Sequence, residues 1–157
     1  MLSKKAKVLQ KLAGKSLLEH ILCSAEEISS KTSIVVGFDK LTVEKEVSKI
    51  SRKAKTHEQK KQIGTADAVR TVIDSINENE KVLILYGDVP LISKNTLESL
   101  CSLNDSVSIL TTNLSNPTGY GRVIKDVKSL VVEIIEEKDT NAEQKEIKEI
   151  FTGVMAV

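Results

Sequence analysis

The chain has 157 residues, with Lys+Arg 23 against Asp+Glu 22 and a formal net charge of +1. That length fits one domain, and the near-neutral charge excludes a nucleic-acid binder that works by neutralising phosphates. The aromatics are Phe 2, Tyr 2 and Trp 0, too few for a base-stacking platform. A hydrophobic fraction of 40% supports a packed core, and 29% charged residues without blocks of one sign argue against disorder. No apolar run approaches the roughly 18–20 residues of a membrane span. The opening Met1-Leu2-Ser3-Lys4-Lys5 has no apolar segment behind it, as a secretory signal needs. The expected setting is the cytoplasm, with neither a membrane nor a nucleic acid as partner. Cys23 and Cys101 show no C-x-x-C spacing and read as buried small hydrophobes in a reducing compartment. His20 sits inside a helical pattern and reads as structural, which leaves no obvious nucleophile–imidazole device.

Taken in chain order, helical and strand-like segments alternate. Ser16 precedes Leu17, Leu18, Ile21, Leu22, Ala25 and Ile28 at a 3.6-residue period, and Glu19 completes a capping box. Ser33 to Gly37 reads as a short buried strand. Val43, Val47 and Ile50 predict a second helix, with Thr42 as N-cap, and Lys53 to His57 a short edge strand. After Gly64 a third helix carries Ala66, Val69, Val72, Ile73 and Ile76 on one stripe. Lys81 to Tyr86 is the clearest strand; its unbroken apolar run predicts burial on both faces, as in a central parallel strand. Ser93 caps a short helix with Leu97 and Leu100. Val107 to Thr112 is again a strand, and Pro117 to Gly121 is turn chemistry before a hairpin of Arg122–Ile124 and Leu130–Glu136. Asn141 with Gln144 is another capping box, Glu143 to Glu149 a solvated helix face, and Ile147 to Val157 a closing apolar strand. The alternation predicts an α/β sandwich with a mostly parallel sheet and a single domain over 1–157.

Five segments carry candidate chemistry. Asp88, in Tyr86-Gly87-Asp88-Val89-Pro90, follows the clearest strand, where ligands gather in open α/β sheets. Its hard carboxylate suits Mg²⁺ holding a triphosphate, against the alternative of a plain turn aspartate. Gly64 and Thr65 open a helix whose N-terminus favours anions or carbonyl oxygens, and Gln59 offers a donor and an acceptor to the edge of a pyrimidine. Lys7 lies among Lys4, Lys5, Lys11 and Lys15 and is either a phosphate contact or part of a solvated basic end. Gly119-Tyr120-Gly121-Arg122 can bring backbone close to a small polar ligand, and Glu136-Glu137-Lys138-Asp139 can offer a carboxylate to sugar hydroxyls.

In order, Lys7-Val8-Leu9-Gln10-Lys11-Leu12-Ala13-Gly14, Gln62-Ile63-Gly64-Thr65-Ala66, Leu85-Tyr86-Gly87-Asp88-Val89-Pro90-Leu91-Ile92, Asn116-Pro117-Thr118-Gly119-Tyr120-Gly121-Arg122 and Glu136-Glu137-Lys138-Asp139 resemble one family across nearly the whole chain. It is the uridyltransferase domain of the bacterial bifunctional N-acetylglucosamine-1-phosphate uridyltransferase / glucosamine-1-phosphate acetyltransferase. The resemblance implies a Rossmann-like nucleotide-diphospho-sugar transferase sandwich that joins UTP and N-acetylglucosamine 1-phosphate. The products would be pyrophosphate and UDP-N-acetylglucosamine, a cell-wall precursor. It implies Asp88 as the Mg²⁺ ligand, Lys7 on phosphate, Gln59, Gly64 and Thr65 on the uracil side, and Tyr86, Gly121 and Glu136 around the amino sugar. Against the family pattern, the first strand and Gly-rich loop are expected to be missing, as are the second metal ligand and the β-helix acyltransferase domain that trimerises. Ala6 stands for the proline before the phosphate lysine, and Phe151 for an asparagine that contacts the sugar. The chain therefore reads as an uridyltransferase-type domain, or alternatively as a non-catalytic nucleotide-sugar-binding remnant or subunit of a split enzyme. No oligomeric state follows from the sequence. The whole reading requires Asp88, the 64–65 turn and the 119–122 bend to share one groove.

Overall fold

Residues 5–103 and 106–157 are described by the computed structural model, so Met1, Leu2, Ser3 and Lys4, named above, lie outside the described residues. A 3₁₀ turn at Lys7–Leu9 leads into a small hairpin of β1 (Lys11–Leu12) and β2 (Lys15–Ser16). Its two-residue loop has φ 50° at Ala13 and 86° at Gly14, both positive, as the turns that match strand twist require. Ser16 then caps α1 (Leu17–Glu26): its Oγ accepts from the Glu19 N–H at 3.2 Å, a contact worth about 1 kcal/mol. The reciprocal half of the expected capping box does not form, as the Glu19 carboxylate pairs instead with Lys15 at 3.5 Å. His20 is structural, with Nε2 2.9 Å from the Leu12 carbonyl oxygen.

A β–α–β unit follows, made of β3 (Ser33–Val36), α2 (Lys40–Ile50) and β4 (Lys55–Glu58). The strands pair in parallel from Ser33↔Lys55 to Val36↔Glu58. Asp39, not Thr42, is the N-cap of α2. It holds φ 55°, a left-handed backbone that Asp tolerates better than most residues. Its carboxylate turns away from the helix to accept the Ala6 N–H at 3.3 Å, tying the N-terminal turn to α2. Leu9, Leu18, Leu22, Val36, Val43 and Val47 close a first core between these pieces.

The third expected helix is shorter and barer than its stripe predicts. α3 (Thr65–Arg70) ends in a 3₁₀ turn at Ile73–Ser75, and neither buries a residue. Ile73 is 56% exposed. Periodicity shows only that one face is apolar; here Val69, Val72 and Ile76 are half-buried and Ala66 and Ile73 exposed, so the stripe is covered only in part.

The larger sheet has five strands: β5 (Leu83–Ile84), β6 (Ser108–Asn113), β7 (Arg122–Lys125), β8 (Val131–Ile135) and β9 (Glu149–Ala156). The expected mostly parallel sheet holds for β3–β4 only. Every hydrogen-bonded pair in the five-stranded sheet is antiparallel. β5 and β6 run in one direction, but β9 lies between them and opposes both. The closing strand is thus the centre of its sheet. The Lys81–Tyr86 run is also corrected: only Leu83 and Ile84 form strand, and the segment from Val82 to Pro90 is half-buried. The expected β7–β8 hairpin forms, with Arg122↔Ile135 and Val123↔Ile134 in register.

α4 (Lys94–Ser102) is capped by Ser93, which accepts the Thr96 N–H at 3.2 Å. It buries Leu97 at 0% exposure and Leu100 against Val154 and Ala156 of β9. Each such side chain contributes about 1.5–3 kcal/mol by leaving water. α5 (Ala142–Lys145) starts with the expected capping box of Asn141 and Gln144. The acidic run beyond it is not all helix face. Glu149 belongs to β9, accepting from Thr111 Oγ1 at 2.7 Å and Lys125 Nζ at 2.6 Å. Those partners hold its carboxyl below the ordinary carboxylate range, the Lys125 hydrogen bond foremost. Cys23 is exposed and Cys101 half-buried, so the expectation of two buried thiols fails.

Candidate active site

The strand registers show where the sheet opens. β6 covers one edge of β9. On the other edge β5 pairs at Met155 and Ala156, and β7 pairs at Ile150. Between those contacts β9 has no strand partner on that side among the described residues, and β5 continues there into Tyr86-Gly87-Asp88. A cleft of about 530 Å³ lies there, lined by Lys7, Thr65, Tyr86, Asp88, Gly121 and Glu136, together with Val89, Gly119, Tyr120, Ile134 and Phe151–Gly153. Asp88, Thr65 of the 64–65 turn and Gly119–Gly121 of the 119–122 bend thus share one groove.

Glycines set the approach of its walls. A Cβ on Gly87 would lie 3.1 Å from Val8 Cγ1 and 3.8 Å from Leu18 Cδ1. The bare backbone lets this turn lie against the Lys7–Leu9 turn, and Lys7 Nζ meets Asp88 Oδ2 at 2.7 Å. The carboxylate, through its hydrogen bond and then its charge, holds the Lys7 ammonium above its ordinary value. With side-chain exposures of 54% and 32%, such a pair contributes only about 0.2–1 kcal/mol to stability. It is better understood as a cation and an anion held ready at the mouth of a cleft. On the opposite wall, a Cβ on Gly121 would lie 3.1 Å from Ile134 Cγ2 and 4.0 Å from Glu136 Cδ.

Two expected residues sit outside the lining. Gly64 has φ 128° and open space where a Cβ would be. Gln59 Nε2 donates to the Gly64 carbonyl at 3.0 Å and to Asp67 Oδ2 at 2.9 Å. Both amide hydrogens are therefore engaged, and the group offers its oxygen as an acceptor. Thr65, next in sequence, does line the cleft.

Several structural contributors escaped the sequence reading. Arg122 is 1% exposed. Its Nη1 donates to the Pro117 carbonyl at 2.9 Å and to that of Tyr120, and its Nη2 lies 2.6 Å from Glu137 Oε2. One guanidinium thereby holds the 117–121 loop and the residue after Glu136. Gly153, φ 87°, lies beneath the Tyr86 ring: a Cβ there would stand 2.2 Å from Cε2 and 2.5 Å from Cδ2. A glycine inside an apolar strand is the available signal for such close approach. Gly153→Ala is expected to cost about 1–3 kcal/mol by overpacking, read as a lower denaturant midpoint. Tyr86→Ala in the same chain should recover part of that loss.

For a divalent cation, no group of three or more His, Cys, Asp or Glu side chains converges among the described residues. Asp88 fits the other mode of binding Mg²⁺, in which one carboxylate anchors the ion and substrate phosphates and water complete its oxygen shell. No described helix is long and apolar enough to cross a membrane.

An α/β domain with a charged cleft at a strand's carboxyl end, closed by a glycine-bearing loop, has the form of a nucleotidyltransferase. Residues 2–129 match the MobA-like NTP transferase domain, and the chain belongs to that family. It is 46% identical over 159 residues to the Bifunctional protein GlmU of Francisella philomiragia, covering 100% of this chain and 35% of that protein. To the Bifunctional protein GlmU of Francisella tularensis subsp. novicida it is 44% identical over 160 residues, 100% of this chain and 34% of the relative. The chain spans about a third of the length of these curated relatives. Among solved structures, HddC from Yersinia pseudotuberculosis superposes with a TM-score of 0.71 at 16% identity, covering 99% of this chain and 68% of that one. CMP:2-keto-3-deoxy-manno-octonic acid synthetase complexed with CTP gives 0.67 at 19%, over 96% of this chain and 66% of that one. At such identities these likenesses speak to the fold alone.

Proposed function

We propose that this chain is a UTP:N-acetylglucosamine-1-phosphate uridyltransferase-type domain that acts in the cytoplasm. The observation that carries the reading is the convergence on one cleft of Lys7, Thr65, Tyr86, Asp88, Gly121 and Glu136, which are far apart in sequence. The 46% identity to a Bifunctional protein GlmU supports the choice of substrates.

In this reading the sugar-phosphate oxygen attacks the α-phosphorus of UTP in line, and pyrophosphate leaves. The chain need only position the two phosphates and offset their charge, and no covalent nucleophile is required. Lys7 contributes a mobile positive charge to phosphate. Asp88 would hold Mg²⁺, which would supply neutralisation of the triphosphate. Thr65, with Gln59 and Gly64 behind it, faces the uracil side. Gln59 presents its carbonyl oxygen, an acceptor suited to the ring N–H of uracil. Tyr86, Gly121 and Glu136 receive the amino sugar, with the Glu136 carboxylate accepting from its hydroxyls.

The test is pyrophosphate release from UTP, N-acetylglucosamine 1-phosphate and Mg²⁺. Release that requires all three is the expected result. No release, with UDP-N-acetylglucosamine still binding in a calorimeter, would place the chain among nucleotide-sugar-binding domains without turnover.

A further inference from the structure

The segment between β4 and α3 is tied down at several points. The Gln59 N–H donates to the Val36 carbonyl at 2.8 Å, which carries the β3–β4 ladder one residue past Glu58. Gln62 lies over bare backbone: a Cβ on Gly37 would stand 2.8 Å from Gln62 Nε2. The Gln59 side chain then spans the loop to the Gly64 carbonyl and reaches Asp67, in the first turn of α3.

An acid in a helix's first turn is commonplace. The contact Asp67 makes is more telling. Gln59 Nε2 has two partners, a carbonyl at 3.0 Å and a carboxylate at 2.9 Å, and both accept hydrogen bonds without donating. Turned over, the amide would set its own oxygen against two oxygens. Its orientation is therefore fixed by chemistry as well as by distance, and Gln59 Oε1 accepts no hydrogen bond among the described residues. The two partners are unequal. Gly64 is exposed, with nothing within 4 Å of where a Cβ would stand, so its carbonyl is the less firmly held. Asp67 is half-buried and carried on the helix, and a bond to a charged acceptor is roughly twice as strong as a neutral one.

We infer that Asp67 is a positioning residue, which locks the Gln59 amide with its oxygen toward the base and so admits pyrimidines bearing a ring N–H, uracil or thymine, while refusing cytosine. The ring nitrogen of cytosine at that place is itself an acceptor, and two acceptors then face each other. The inference rests on the nucleotide reading above and assigns its base selection to a residue outside the cleft lining.

Calorimetry with UDP and CDP reads the ratio of the two affinities. Wild type should bind UDP roughly 10–100-fold more tightly than CDP, the scale of one polar partner left unpaired. No residue of α3 is buried, so Asp67→Ala leaves the core intact. That variant frees the amide and should lower the ratio about tenfold, mainly through weaker UDP binding. Asp67→Asn keeps an oxygen able to accept from Nε2 and should hold the ratio near that of wild type. A role in helix stability alone would weaken both nucleotides together. If UDP binds wild type and the ratio is the same in Asp67→Ala, or is near one already in wild type, the inference is overturned and the nucleotide reading stands. If UDP does not bind wild type, both fall.

Discussion

Asp88→Asn is expected to lower the rate of pyrophosphate release by about 10²–10³-fold, the scale seen when one charge-stabilising group is removed from a preorganised site. The substitution keeps the shape of the side chain and removes only its charge. Its partner is Lys7 at 2.7 Å, and both side chains are substantially exposed, so the stability lost should stay near 0.2–1 kcal/mol. Activity and stability therefore separate at this position. The fall should appear in kcat if, as proposed, the Asp88 charge anchors the cation that neutralises the phosphates. Initial rates at saturating UTP, with thermal unfolding of the same samples, check both halves. Equal rates in variant and wild type would remove Asp88 from the chemistry.

Arg122→Ala should do the opposite, acting first on stability. The guanidinium is 1% exposed and joins Glu137, Pro117 and Tyr120 in one contact set. Glu137 is 32% exposed, so water takes over its carboxylate when the arginine is gone. The larger loss is the donor to the Pro117 and Tyr120 carbonyls, about 1–3 kcal/mol for each buried group left unpaired. Arg122→Lys keeps the charge without the planar fork and should fall between the two. Urea unfolding with linear extrapolation gives the comparison. Loss of the 119–121 wall should also raise KM for the sugar phosphate in whatever fraction stays folded. A near-neutral alanine variant would show that the loop is held by its backbone instead.

The sequence was most legible where the signal is local. The caps at Ser16, Ser93 and Asn141 depend on residues three apart, and each cap side chain accepts the N–H three residues on, although the reciprocal half of the box forms at Gln144 and not at Glu19. The β7–β8 hairpin was legible because a turn and two alternating runs sit side by side. Strand direction was not legible: β9 is last in sequence yet central in its sheet, and nothing in Glu149–Ala156 says which strands will flank it. The same insertion explains β5. Its apolar run looked like a long central strand, but β9 pairs only Leu83 and Ile84 before the chain turns away to form the cleft. The stripe after Gly64 is legible only as an apolar face: how far that face is covered depends on neighbours elsewhere in the chain, and here none of its residues is fully buried.

The cleft divides along similar lines. Lys7, Tyr86, Asp88, Gly121 and Glu136 were legible through segments whose order in the chain carries a family pattern, and the coordinates bring them together. Arg122 and Gly153 were not singled out. Their roles depend on neighbours far away in sequence, Glu137 for one and Tyr86 for the other.

The central claim is that the nucleotide's phosphates and their cation sit at Asp88. Paramagnetic broadening tests it most directly: Mn²⁺ with UTP is titrated into isotopically labelled protein and amide signals are followed. Signals from 87–89 and 119–121 should broaden first, and Asp88→Asn should abolish the effect. Broadening centred instead on 58–63, with the cleft signals unchanged, would contradict the account.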